Sequence, residues 1–350
     1  MLTTVDKPIL IFVFILAASV VWFAGIRLTQ STDVLLERFK IGKALGGMIF
    51  LAIVTDLPEV AITIGGSLHH QYSLVIGNLL GGVSLQTAVL VVLDLFGGNK
   101  QTLTSSLTSL VPVLECLLVI MLLIIPVMMG QLPHSLLKGP VNIGGISLIT
   151  IWIIGLWLIS KAPDWLEAQH NDQEKVTQTG KSKNSEEGKS LGHVIFLFSW
   201  SAGLTFLAGY ALEESSAALA HQFGLSGMFF GATVLAAATA LPELTTGLAA
   251  MKIGECELAV SDILGGNAFL PVLFPLGAMI AGQSILSGTG HGDIYVACLG
   301  ILLTTVYGIG MLLKSKFKIF NMGIDSLVVL FLFVLGISIL GFITSVRFIS

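Results

Sequence analysis

Two segments of the sequence place a glutamate directly after a proline within otherwise apolar surroundings. Ala52–Glu59 and Ala236–Glu243 share the pattern A-x-x-T-x-L-P-E. Proline lacks a backbone N–H and clashes with the preceding helical turn, so we expect each helix to break there and to leave carbonyl groups without partners. Thr and Glu four residues apart lie on the same face of a helix. Each segment therefore offers a carboxylate, a hydroxyl and carbonyl oxygens at one level.

Brought together, the two segments would form an all-oxygen site with two negative charges, which suits a hard cation such as Ca²⁺ or Na⁺. No Lys or Arg lies in the apolar stretches that contain them. Since an ionised carboxylate inside a membrane is costly unless it is paired, a bound cation or a proton is the expected partner of Glu59 and Glu243. A single such glutamate could equally be a protonated structural group, but its duplication favours a binding site.

A glycine-rich segment follows each motif. Gly77–Gly82 reads G-N-L-L-G-G and Ser261–Gly266 reads S-D-I-L-G-G. Glycines at this spacing allow helices to approach closely. Asn78 and Asp262 occupy equivalent positions, where they could reach the site or serve in packing and capping.

The composition indicates that a membrane surrounds these motifs. Of the 350 residues 54% are hydrophobic and 11% are charged, whereas a soluble domain carries about 25% charged residues. A soluble enzyme is therefore excluded, and a net charge of −4 excludes a nucleic-acid binder. The three scattered cysteines provide neither a disulfide framework nor a C-x-x-C metal site. The sequence predicts a polytopic membrane protein.

Ten apolar runs are long enough to cross about 30 Å of hydrocarbon as helices. They are Ile9–Ile26, Ala44–Ser67, Tyr72–Phe96, Leu107–Met129, Ile143–Ser160, His193–Ala220, Ser226–Ala250, Glu257–Ala281, Ile294–Leu313 and Met322–Ser345. The second and seventh contain the motifs and are expected to break at Pro58 and Pro242.

The basic residues orient these spans. Of the 17 Lys and Arg, all except Lys7, Lys138 and Arg347 fall on one side. This bias predicts that the majority side is cytoplasmic and that both termini lie outside, in an inner (plasma) membrane of a prokaryote. The hydrophilic stretch 161–190 is then a cytoplasmic linker.

The chain also repeats itself. A shift of 184 residues aligns 11–86 with 195–270 without a gap and gives 21 identities in 76 pairs. Corresponding spans are five crossings apart, so the two halves must be inverted, an arrangement typical of secondary transporters. We predict an all-α membrane protein of ten transmembrane helices in two inverted five-helix repeats, 1–160 and 191–350. A duplication kept only for packing would not explain why the acidic motifs are shared.

These motifs resemble those of the calcium/cation antiporters, and within that family the sodium/calcium exchanger-like members. The two alpha repeats of that family carry G-x-x-x-x-A-x-G-T-S-x-P-E followed by G-N-x-x-G-S. The resemblance implies that Ca²⁺ binds between the halves to Glu59, Glu243, Thr55 and Thr239, and that the carbonyls of Ala52 and Ala236 help to bind Na⁺. It also implies electrogenic exchange by alternating access, with the first and sixth helices sliding over the other eight.

The sequence departs from the family pattern at several ligand positions. Asp56 and Ala240 replace a serine, Gly82 and Gly266 replace another, and Gln86 and Leu270 replace Asn or Asp. The usual Na⁺ ligands are therefore incomplete, while Asp56 and Asp262 add carboxylates that could carry a proton. The predicted cation ligands are Glu59, Glu243, Thr55, Thr239, Ala52, Ala236, Asp56, Asp262 and Asn78. Glu115, inside the fourth span, is either a structural group or part of a proton route.

The leading hypothesis is an antiporter that exchanges Ca²⁺ for Na⁺. The alternative is an H⁺-coupled antiporter of Ca²⁺ or another divalent cation, and a cation channel is less favoured because the inverted repeat indicates alternating access. An intramembrane hydrolase lacks a Ser/His or HExxH set. We therefore expect no enzyme activity and no cofactor beyond the transported ions, and no nucleic-acid partner; an oligomer is not required.

Overall fold

The computed structural model describes residues 5–39, 53–97, 101–133, 137–169, 190–288 and 290–346. Its helices are, in chain order, α1 (Lys7–Arg38), α2 (Leu57–Leu68), α3 (Tyr72–Phe96), α4 (Val111–Met129), α5 (Ile143–Gln169), α6 (Leu191–Phe223), α7 (Gly227–Thr239), α8 (Leu241–Lys252), α9 (Cys256–Phe269), α10 (Leu273–Ala281), α11 (His291–Leu313) and α12 (Ile324–Val346). Two short strands, β1 (Lys318–Ile319) and β2 (Met322–Gly323), pair antiparallel between α11 and α12.

The predicted all-α membrane fold is confirmed. Within the described ranges, eight helices are long and apolar enough to cross a membrane, and the bent pair α7–α8 adds a ninth candidate span. The second predicted span is represented by α2, a shorter apolar helix. Residues 44–52 of that span lie outside the described residues, so the count of ten remains a prediction.

Both breaks occur at the prolines. The helical turn 53–55 ends at Asp56, and α2 begins at Leu57 with Pro58 in its first turn. In the other half α7 ends at Thr239, and α8 begins after Ala240 at a bend of 45°. The backbone angles of Asp56 (φ −85°, ψ 17°) and Ala240 (φ −80°, ψ 0°) are similar, so the two breaks have related geometry.

The loops alternate between two ends of the bundle. At one end, which we call the Tyr72 end, Gln283 donates to the Tyr72 hydroxyl and Gln222 donates to the carbonyl of Val5. At the opposite end, Asp94 of α3 accepts hydrogen bonds from Leu103, in the connection between α3 and α4, and from Gly323, in the connection between α11 and α12. This alternation agrees with the predicted order of crossings in the described part of the chain.

Burial separates inner helices from outer ones. In α3 and in the span Cys256–Ala281, 72% of the most apolar 18-residue segment is buried inside the protein. The corresponding share is only 22% in α6 and 17% in α12. The core therefore lies around α3 and the span formed by α9 and α10, while the apolar outer faces of α6 and α12 are left for lipid.

The first helix of each half packs on the broken span of the other half. A Cβ added to Gly25 of α1 would lie 2.7 Å from Cγ of Pro242, and one added to Gly209 of α6 would lie 2.8 Å from the carbonyl oxygen of Pro58. These two contacts are equivalent in the repeat. They place α1 and α6 directly against the two motifs.

Candidate functional site

The two repeated glutamates meet inside the protein. Glu59 lies in the first turn of α2 and Glu243 in the first turn of α8, with 1% and 4% of their surfaces exposed. They are close enough to interact electrostatically. None of their four carboxylate oxygens has a hydrogen-bond partner among the described residues. The structure therefore brings together the pair that the repeat predicts, with no hydrogen-bond partner to neutralise either carboxylate in the described part of the chain.

Thr239 completes one side of this pair. Its side chain is 2% exposed and faces Glu59 from the opposite half of the molecule. Its hydroxyl donates to the carbonyl of Ala236 at 3.2 Å. Thr55 is also buried and lies in the helical turn that precedes Asp56.

The expectation of a free carbonyl at Ala236 is wrong for this conformation. That carbonyl accepts from the Thr239 hydroxyl and from the N–H of Ala240 at 3.0 Å. Helical hydrogen bonding continues up to Ala240, and proline withholds an N–H from the carbonyl four residues earlier, which is Ala238. Ala52, the equivalent residue in the first half, lies outside the described residues.

Two further carboxylates join the site. Asp56 is 1% exposed at the break before α2, and Asp262 projects from α9. Asp56 interacts electrostatically with both Glu59 and Asp262, and Glu243 interacts with all three. The predicted acidic ligands are thus brought together around the two helix breaks.

Asn78 lies on the α3–α7 contact. A Cβ added to Gly231 of α7 would lie 2.9 Å from the Asn78 backbone nitrogen, and the Asn78 side chain is buried. Both polar atoms of its side-chain amide lack a hydrogen-bond partner among the described residues, and no described contact joins Asn78 to the carboxylates, so its role as a ligand stays a prediction.

The carboxylates form an array wider than a closed metal centre. In the described part of the chain, no three His, Cys, Asp or Glu side chains converge closely enough to hold a metal ion by themselves. A cation would need hydroxyl and carbonyl oxygens in addition, which is the mixed oxygen set that Ca²⁺ and Na⁺ accept.

Three neighbouring side chains were not predicted as ligands. Gln86 of α3 is buried and faces Asp56. Glu115 of α4 is 2% exposed, has no hydrogen-bond partner in the described structure and lies beside Asp262 and Ser261. Asp33 of α1 also interacts electrostatically with Asp262. For Glu115 and Asp33 the sequence offers an acidic residue within or after an apolar run, and for Gln86 a polar residue within one. Neither pattern reveals which neighbour a side chain faces.

Known proteins resemble this chain over most of its length. Inner membrane protein YrbG of Escherichia coli (strain K12) is 27% identical over 260 residues, which cover 74% of this chain and 76% of that protein. The putative antiporter CaxA of Alkalimonas amylolytica is 24% identical over 310 residues, covering 85% and 89%.

Solved structures share its fold. The crystal structure of the H⁺/Ca²⁺ exchanger CAX matches with a TM-score of 0.72 at 11% identity, covering 97% of this chain and 86% of that one. The sodium-calcium exchanger NCX_Mj, soaked with Na⁺ and Sr²⁺, matches with a TM-score of 0.60 at 16% identity, covering 95% and 99%.

The family model described as sodium/calcium exchanger protein matches residues 9–161 and 193–347. The two matches include both proline-broken motifs and together account for well over half of the chain. The protein is a multi-pass membrane transporter that belongs to the sodium/calcium exchanger family.

Proposed function

We propose that this protein is a secondary active antiporter that exchanges Ca²⁺ for Na⁺ by alternating access. The observation that carries the proposal is the meeting of Glu59 and Glu243, which are buried, related by the repeat and without hydrogen-bond partners among the described residues. Two carboxylates in this position repel one another, and a divalent cation between them removes both the repulsion and the cost of burying the charges.

The surrounding groups supply the rest of the proposed coordination. Thr239 and Thr55 contribute hydroxyl oxygens, and carbonyl oxygens released at the proline breaks complete an all-oxygen site. Asp56 and Asp262 increase its negative charge. Because these groups come from both halves, a change in the relative position of the halves changes the coordination of the ion.

The packing of α1 and α6 supports alternating access. Each helix meets the broken span of the other half through a glycine, Gly25 on Pro242 and Gly209 on Pro58. A glycine contact presents a smooth backbone surface without interlocking side chains, along which a helix can shift. Movement of α1 and α6 would then expose the cation site to one side of the membrane at a time.

A specific observation favours H⁺ coupling as the alternative. The buried Asp56 and Glu115 and the partly buried Asp262 provide more carboxylates than Ca²⁺ alone requires. A proton on one of them would balance a departing cation. The solved structures that share the fold also differ in the coupling ion that their names give. CAX is named an H⁺/Ca²⁺ exchanger, whereas NCX_Mj is named a sodium-calcium exchanger.

We propose the membrane orientation predicted above, with both termini outside and the linker 161–190 in the cytoplasm between repeats 1–160 and 191–350. In this orientation the Tyr72 end faces outward. The assignment rests on the distribution of Lys and Arg.

Uptake of radioactive Ca²⁺ into proteoliposomes tests the function. Vesicles loaded with Na⁺ are diluted into Na⁺-free buffer at equal pH, and a second set carries only an acid-inside pH gradient. We expect uptake driven by the Na⁺ gradient. Uptake driven only by the pH gradient would establish the H⁺-coupled alternative, and equal uptake regardless of both gradients would indicate a channel.

A further inference from the structure

A histidine links α2 to α6 at the Tyr72 end, away from the cation site. Nδ1 of His69 lies 2.9 Å from Oε2 of Glu213. Its Nε2 lies 3.1 Å from the hydroxyl oxygen of Tyr210 and 3.6 Å from Oε1 of Glu214. One imidazole therefore faces two carboxylates and a phenol, all three of them from α6.

The two helices are in close contact at this point. A Cβ added to Gly65 of α2 would lie 3.0 Å from Oε2 of Glu213 and 3.0 Å from Cδ2 of Tyr210. The Glu213 side chain is completely buried, and its Oε1 has no hydrogen-bond partner in the described structure. The side chains of His69 and Glu214 are 24% and 23% exposed, so water and protons reach the imidazole.

The strength of the link depends on the charge of His69. In neutral imidazole, the N–H on Nδ1 donates to the Glu213 carboxylate while Nε2 accepts from the Tyr210 hydroxyl. Glu214 then has no attraction to the ring. When the ring is protonated both nitrogens donate, and the cation attracts Glu213 and Glu214 together through charge-assisted hydrogen bonds. Protonation therefore pulls α2 and α6 more tightly together.

Other titratable groups near the ring do not change this conclusion. His70, the next residue, directs Nδ1 to the hydroxyl of Tyr72, at the start of α3, at 2.7 Å. The helix α10, which packs on α2 through Gly277, contains no titratable side chain. Histidine is the side chain that ordinarily changes charge between about pH 5 and pH 8.

We propose that His69, with Glu213, Glu214 and Tyr210, is a proton-binding site that holds α6 against α2 and controls opening of the transporter at the Tyr72 end. Bound proton keeps this end closed, and loss of the proton releases α6. The proposal rests on the alternating access of the proposed function, because α6 is the helix that shifts there, while the first turn of α2 carries Glu59.

Cysteine labelling tests the site without relying on transport. Ser216 lies on the face of α6 that carries Gly209 and Glu213, since residues three and four apart share a helix face, and it is completely buried. Ser216→Cys is close to isosteric. It is introduced together with Cys298→Ala, which removes the exposed native cysteine. The full chain in liposomes is then labelled with a membrane-impermeant thiol reagent applied at the Tyr72 end.

Labelling rates are compared at the same pH between proteins with and without His69→Gln. The pH dependence of thiol ionisation then affects both rates equally. Glutamine keeps a donor and an acceptor but cannot be protonated. We expect equal labelling rates at pH 8, and at pH 6 a rate about fivefold or more slower with His69 present. His70→Gln is the matched control and should retain the slowing at pH 6.

Equal rates with and without His69→Gln at pH 6 would overturn the proposal. A difference of the same size at both pH values would also overturn it, because it would indicate a purely structural contact. If labelling responds to pH through His69 while neither ion gradient drives Ca²⁺ uptake, the proton site stands and the proposed transport function fails.

Discussion

The carboxylate of Asp56 lies against the α-carbon of Gly266, which belongs to the opposite half of the molecule. A Cβ at Gly266 would lie 3.1 Å from Oδ2 of Asp56 and 3.3 Å from Oδ1. The repeat pairs Gly266 with Gly82, where an added Cβ would instead lie 3.1 Å from Cδ1 of Leu270. Related glycines thus accommodate a carboxylate on one side and a leucine on the other, so the cation site is asymmetric although the fold repeats.

Neutralising either repeated glutamate should abolish transport. Glu59→Gln and Glu243→Gln preserve shape but remove a charge that the bound cation requires, and the loss of Ca²⁺ uptake should be at least about 100-fold. Uptake in proteoliposomes measures the effect, and size-exclusion chromatography and thermal unfolding check the fold.

Glu255→Gln, in the loop before α9, is the matched control and should transport normally. Unaltered uptake in Glu59→Gln or Glu243→Gln would refute the assignment of these ligands.

Gly266→Ala should impair the site through Asp56. The added methyl meets the carboxylate at a distance tighter than ordinary contact, so Asp56 must shift, and we expect an approximately tenfold lower apparent affinity for Ca²⁺ with an intact fold. Gly203→Ala, at an α6 position where a Cβ meets nothing within 4 Å, is the control. If the effect acts through Asp56, Gly266→Ala should add little in an Asp56→Ala background. Additive losses would contradict this explanation.

Gly81→Ala should destabilise the whole protein. A Cβ at this position would lie 2.3 Å from the α-carbon of Ala232, because α3 and α7 are in backbone contact there. Overpacking of this kind costs about 1–3 kcal/mol. Thermal unfolding in detergent measures the loss, again with Gly203→Ala as the control, and an unchanged midpoint would show that the two helices can separate without cost.

Much of this fold follows from sequence patterns that act locally. Apolar length predicts the helices, and proline predicts the breaks at Pro58 and Pro242 because its effect depends only on its own covalent structure. The repeat predicts that Glu59 and Glu243 meet, since related halves place related residues at one interface. The close helix approach predicted from the glycines is confirmed where Gly81 of α3 meets Ala232 of α7, because a residue without a side chain lets the two backbones touch.

Other features depend on which helices become neighbours, and sequence spacing does not determine this. Asp33, in the other half, and Glu115, on α4, both interact electrostatically with Asp262, so neither could be assigned to the site from its own segment. The hydrogen bonds that occupy the Ala236 carbonyl depend on where α7 actually ends, a boundary that sequence patterns locate poorly.

Asp94→Asn should destabilise the end of the bundle opposite Tyr72. The Asp94 carboxylate accepts from the N–H of Leu103, the N–H of Gly323 and the hydroxyl of Ser326, each at 2.7 Å. The asparagine side chain keeps one acceptor oxygen, but its NH₂ group replaces the second. That NH₂ group would then face an N–H or O–H that also donates, and this hydrogen bond would be lost. Hydrogen bonds to a charged group contribute about 1.5–3 kcal/mol, so we expect a loss of at least about 2 kcal/mol in thermal unfolding. Asp6→Asn, before α1, should have no such effect, and equal stability of the two variants would contradict the prediction.

Asp33→Asn should weaken cation binding from a distance. Asp33 lies on α1, in the first half of the chain, and interacts electrostatically with Asp262 of α9, in the second half. Its negative charge favours a cation at the site, so its removal should lower the apparent affinity for Ca²⁺ severalfold, while the maximal rate, which depends on groups that touch the ion, should change little. Initial rates of Ca²⁺ uptake over a range of Ca²⁺ concentrations separate the two parameters. Asp33→Glu, which keeps the charge, should restore the affinity. A lower maximal rate at unchanged affinity would instead indicate that Asp33 acts on the movement of α1, since a charge that only attracts the cation cannot slow a step that follows binding.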